Sequence, residues 1–80
     1  MKAIGYTTLA TRQLRKLPAD IRERLIEKLH RYAQTSAGDV KALAGQSGAR
    51  LRVGDYPIIF IETTDAISVR AVGHRSEIYE

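Results

Sequence analysis

The sequence predicts an α+β fold in the order β-α-α-β-β-β, an antiparallel sheet with two N-terminal helices packed on one face. Three observations carry it. An apolar stripe at helical spacing occupies residues 19 to 34, a Gly54-Asp55 pair separates two alternating apolar runs, and a second tight-turn signal stands at Thr64-Asp65.

The first element is a short strand, KAIGY, with Lys2, Ile4 and Tyr6 on one side. Thr7 or Thr8 suits an N-cap, after which Leu9, Ala10, Leu14 and Leu17 fall near helical spacing. Pro18 ends that helix and opens the next with its fixed φ. In the second helix Ile21, Leu25, Ile26, Leu29, Tyr32 and Ala33 trace one apolar stripe. Asp20 with Arg24 and Glu27 with Arg31 are spaced as i,i+4 ion pairs, so its charges read as a solvated face. His30 has no partner at catalytic spacing and reads as a surface residue. Residues 35–49 are polar and Gly-rich and read as a loop with a small apolar knot at Val40, Leu43 and Ala44.

A two-residue turn at Gly54-Asp55 sets Val53 opposite Tyr56 and Leu51 opposite Ile58. Because the side-chain period of a strand is two, Leu51, Val53, Ile58 and Phe60 share the core face, while Arg50 and Arg52 lie on the other with Pro57, Ile59 and Ile61. The Thr64-Asp65 turn pairs Glu62 with Ile67 and Phe60 with Val69, which assigns Ile67, Val69 and Ala71 to the core. It also sends Arg70 to join Arg50 and Arg52, since a three-residue turn would bury a guanidinium without a partner.

Eighty residues allow one domain, 1–80, with one core. The composition, 44% apolar and 28% charged, is that of a folded globular chain. No run reaches the roughly 18 apolar residues of a spanning helix, and MKAIGYTT lacks a signal peptide's apolar stretch, so the expected location is cytoplasmic with no membrane partner. With no cysteine, and histidines only at 30 and 74, neither a metal site nor a cofactor is expected. Thirteen Lys and Arg, nine of them Arg, against nine Asp and Glu give a net charge of +4, which suits a polyanionic partner.

The open face gathers Arg50, Arg52 and Arg70 from neighbouring strands, with His74, Arg75 and Tyr79 following the last one. A metal-free ribonuclease must take the proton from a 2′-hydroxyl, stabilise a pentavalent phosphate and protonate the leaving 5′-oxygen. Arginine suits the middle task and, always protonated, makes a poor base. His74 is the side chain here suited to moving protons near neutrality, and Tyr79 to stacking on a base or bonding a phosphate. Plainer roles fit the same residue types: arginines on a sheet discourage edge pairing, a lone terminal His is most often surface, and Tyr6 and Tyr56 suit packing.

Taken together, "RKLPADIRERL", "RLRVGDYPIIF" and the closing "VGHRSEIY", in this order, resemble the RelE branch of the RelE/ParE toxins of type II toxin-antitoxin systems. The resemblance implies a RelE-like fold and a cytoplasmic toxin, an endoribonuclease that cleaves messenger RNA in the ribosomal A site. It also implies inhibition of translation and a cognate antitoxin that neutralises the toxin in a hetero-oligomer. It assigns Arg50 and Arg52 to phosphate binding, and Arg75, with His74 beside it, and Tyr79 to the catalytic cluster. One position departs. Relatives commonly carry arginine after the tyrosine of "GDY", where this chain has Pro57, and Arg70 is the nearby substitute. That departure keeps two other readings open: a ParE-like poison of DNA gyrase without nuclease chemistry, and a weakened toxin that persists as an antitoxin-binding protein.

Overall fold

The computed structural model describes residues 2–43, 45 and 48–78. Strand β1 (Ala3–Tyr6) leads into α1 (Thr8–Lys16) and α2 (Ala19–Thr35), followed by β2 (Asp39–Ala42), β3 (Ala49–Arg52), β4 (Ile58–Glu62) and β5 (Ala66–Val72), with a last turn of helix, α3 (Arg75–Ile78). The sheet order is β1-β5-β4-β3-β2. All pairs are antiparallel except β1 with β5, which run parallel: the two helices carry the chain from β1 to β2 at the opposite edge, and the antiparallel run β2-β3-β4-β5 returns it to the side of β1. The sheet is therefore mixed, with one strand more than the sequence pattern predicts. That strand, β2, falls inside the expected loop. It pairs Val40 with Leu51 and Lys41 with Arg50, yet it is an edge with only Val40 facing inward, so its alternation is too faint to read. Ala44 of the expected apolar knot lies outside the described residues.

Between the two candidate caps, Thr7 is the one used: its Oγ1 accepts from the Ala10 N–H at 3.1 Å. Pro18, at φ −54°, stands as the cap residue of α2, and its carbonyl accepts from the Arg22 N–H at 3.0 Å. The helix ends at Ser36 in the left-handed region, φ 61°, whose N–H bonds the Tyr32 carbonyl at 2.8 Å. The i,i+4 pairs expected along α2 do not close. Among the described residues the ion pairs are Lys2–Glu62 and Arg75–Asp55.

The core lies between the helices and one sheet face. Ala10 and Leu14 of α1, and Leu25, Leu29 and Ala33 of α2, pack on Leu51, Val53, Ile58, Phe60, Ile67, Val69 and Val72, and no polar residue among those described is buried. Both turns take the predicted two-residue form. Tyr56 N–H donates to the Val53 carbonyl at 3.0 Å around Gly54, which supplies the positive φ of 60°, and Thr63 N–H donates to the Ala66 carbonyl at 2.8 Å.

One expectation fails, for a definite reason. From Glu62↔Ile67 to Phe60↔Val69 the register of β4 with β5 is as predicted, but the next pairs are Ile59↔Ala71 and Ile58↔Val72, so Arg70 is the extra residue of a β-bulge. The bulge turns Ala71 off the core face and puts Val72, 1% exposed, in its place. It also comes where β1 runs out. Past Tyr6 the free edge of β5 is satisfied by Thr7 Oγ1, which donates to the Arg70 carbonyl at 3.2 Å, and by Gln13 Oε1, which accepts from the Val72 N–H at 2.7 Å.

Candidate functional site

The Gly54-Asp55 turn and the chain after β5 meet on the open side of the sheet. Arg75 N–H donates to the Asp55 carbonyl at 2.7 Å, and its Nε lies 3.5 Å from Asp55 Oδ1. Both side chains of that pair are 61% exposed, so the backbone bond does most of the pinning. Held there, Arg75 joins Arg50, Arg52, Gly54 and Pro57 around a concavity of about 240 Å³. Arg50 is half-buried, Arg52 is exposed, and Pro57 is buried beneath them. Three guanidiniums around one hollow with a proline floor present forked N–H donors of the geometry that suits an anion.

His74 stands beside this hollow, half-buried, its ring edge-on to Tyr56 with centroids 5.4 Å apart. Its Nδ1 accepts the Ser76 N–H at 3.2 Å and lies 2.8 Å from Ser76 Oγ. A backbone N–H can only donate, so Nδ1 is the acceptor and the ring's proton sits on Nε2. His74 thus caps the start of α3, and its carbonyl takes the Glu77 N–H at 2.9 Å.

The family model for the ParE toxin of type II toxin-antitoxin systems, parDE, matches residues 4–79. The chain belongs to this toxin family. The RelB-RelE antitoxin-toxin complex from Methanococcus jannaschii contains a similar chain, 28% identical over 94% of both chains with a TM-score of 0.76. The toxin also shares its fold with chains of the RelBE2 complex from Mycobacterium tuberculosis (23% identity, 92% of this chain and 98% of that one, TM-score 0.82) and of the intact RelBE complex from E. coli (18%, 92% and 96%, 0.77). A search of curated proteins found no match in sequence.

Of the residues singled out in the toxin's sequence, Arg50, Arg52 and Arg75 line one hollow, His74 precedes Arg75 and packs on Tyr56, and Arg70 does not line the hollow. It stands exposed at the bulge of β5, two strands from Arg50 and so about 10 Å away across the sheet. Tyr79 lies outside the described residues. Sequence reasoning missed Asp55 and Ser76, which seat the tail, because an Asp in a tight turn and a Ser near a terminus carry no signal beyond turn chemistry. Among the described residues no group of three or more His, Asp or Glu could hold a metal ion, and no helix is long and apolar enough to cross a membrane.

At the opposite end of the sheet, Glu62 accepts from Lys2 Nζ and, at 2.6 Å, from Tyr32 OH. The Lys2 bond first, then the Tyr32 bond, holds the Glu62 carboxyl below its ordinary range against the opposing effect of burial. The bond to Glu62, with burial and the carboxylate's charge, pushes the Tyr32 phenol up to about 12. This cluster ties α2 to the sheet and touches no residue of the arginine hollow.

Proposed function

We propose that this toxin is a metal-independent endoribonuclease of messenger RNA that acts at the ribosomal A site, inhibits translation in the cytoplasm and is neutralised by a cognate antitoxin. The observation that carries the reading is the hollow shared by Arg50, Arg52 and Arg75. A phosphodiester seated there meets three fixed positive charges where negative charge develops as the 2′-oxygen attacks phosphorus and the bond to the 5′-oxygen breaks. His74 takes the proton from the 2′-hydroxyl or gives one to the 5′-oxygen, and Tyr79 orients the nucleotide. Proton transfer through Nε2 requires a proton on Nδ1, so the Ser76 cap opens during the cycle. Chains of like fold in complexes with RelB antitoxins support the antitoxin partner and a hetero-oligomer. An antitoxin segment that folds as it binds over the basic sheet face would block the hollow.

The test is induced expression without antitoxin, followed by primer extension on abundant messages, with His74→Ala and His74→Asn beside the natural toxin. New ends inside translated codons are expected from the natural toxin. Asparagine can accept the Ser76 N–H but moves no proton, so both variants should cleave on the order of 10²- to 10⁴-fold more slowly while still binding RNA. Recovery in the Asn variant alone would reduce His74 to a cap.

A second reading, poisoning of DNA gyrase, is favoured by the ParE family match and by Pro57 at the position where RelE-like relatives carry arginine. Growth arrest with intact messages and inhibited supercoiling would establish it. Absence of arrest would mark a disarmed toxin.

A further inference from the structure

We infer that the face of α2 toward the sheet edge is a second phosphate-backbone site, continuous with the arginine hollow, that holds single-stranded RNA leading away from the cleaved bond. A concavity of about 420 Å³ lies between α2 and the sheet, lined by Arg24, Lys28, Arg31 and Arg52 and, as the sole carboxylate, Asp39. It shares Arg52 and Gly54 with the hollow, so the two form one track.

The three helix cations stand at i, i+4 and i+7, on one side of α2, separated by about 6 Å and about 4.5 Å along its axis. None is in an ion pair among the described residues, although Asp20 and Glu27 are at the right spacing to supply them. Like charges four apart destabilise a helix, so helix stability does not account for Arg24 and Lys28 standing together. A polyanion does. The occupant's chemistry follows from what the concavity lacks: its large apolar lining residues Leu51 and Val53 are only 2% and 8% exposed and the exposed Ala37 offers a single methyl, so a protein segment would find no apolar pocket for an anchor there. A phosphate backbone needs none. The inference rests on the ribonuclease reading only in taking the hollow as the seat of the scissile phosphate.

The test measures binding of fully 2′-O-methylated, fluorescein-labelled oligoribonucleotides of about 4 and about 16 nucleotides, the ends of the usual range of single-strand site sizes. Salt is varied for the natural toxin, for Arg24→Gln/Lys28→Gln/Arg31→Gln, and for a charge-matched control, Arg15→Gln/Lys16→Gln/Arg22→Gln, whose residues line neither concavity. For the long probe the first variant should lower the slope of log K against log salt by about 2, near 0.7 for each lost phosphate contact. The short probe and the control variant should keep the natural slope. An unchanged slope, or an equal fall in the control, would overturn the inference and leave the ribonuclease reading standing. Loss of polyglutamate binding with RNA binding intact would overturn it in favour of an acidic protein segment. A natural toxin that binds neither probe would overturn both. Matching circular dichroism melts confirm that the variants are folded.

Discussion

The two faces of the sheet are built by different rules. The covered face is over-determined: a dozen apolar side chains, each set by period two or by helical spacing, close on one another without a buried polar group among the described residues. The open face depends on single contacts. Arg75 reaches the hollow through a backbone bond and an exposed ion pair to the single residue Asp55, and His74 holds α3 through one ring nitrogen and its carbonyl. Small domains of this kind can therefore keep their shape while the site drifts, or lose both at once, depending on which face is struck.

Phe60→Ala strikes the covered face hardest. Phe60 is fully buried and touches the Tyr32 ring with centroids 5.5 Å apart, so about 3–5 kcal/mol of stability should go, with most of the folded state, in a urea titration. Arg50→Gln tests the open face. Cleavage in the primer-extension assay should fall by about 10²- to 10³-fold, with a melting temperature that moves far less than for Phe60→Ala. Thr7→Ala removes both the cap of α1 and a bond to the bulge carbonyl of Arg70, which should cost about 1 kcal/mol and lower the melting temperature by about 4–8 °C.

Smallest is the effect of Glu62→Gln, under about 1 kcal/mol at neutral pH. Its value lies in pH dependence. Because Glu62 titrates below its ordinary range when folded, it contributes stability above that range, and the contribution fades as pH falls through the lowered value. The natural toxin should therefore lose stability below about pH 4 more steeply than the variant in urea titrations. Tyr32 works in the other direction, stabilising below about 10 and ceasing to do so as pH climbs toward its raised value of about 12.

Much of the covered face was legible in the sequence because its signals are redundant. Leu51 opposite Ile58 and Glu62 opposite Ile67 follow from turn length alone, and the apolar stripe of α2 repeats over four turns. What escaped depends on a single residue against the pattern. Arg70 interrupts an apolar strand, and no local rule says whether such a residue faces out or bulges; here it bulges, and Val72 takes the core position expected of Ala71. Strand β2 was hidden because an edge with one inward side chain has too little alternation to rise above Gly-rich surroundings. The neighbourhood of Arg50, Arg52 and Arg75 was legible through the turn and the strand end. The cations of α2 lie on the solvated face that the sequence pattern predicts, but without the carboxylate partners that their spacing offers.

Strand β5 lies in the interior of the sheet, flanked by β1 on one side and β4 on the other, yet it is the last strand in the chain. Its pairing with β1 joins Ala3 to Ala66, so the sheet cannot close until the chain has been made through β5, and that long loop must be ordered before its contacts repay the cost. Arg75 follows β5 after Gly73 and His74. On a ribosome that makes this protein, the arginine hollow therefore waits for Arg75, and a nascent chain carries the residues of β1, both helices and β4 without it.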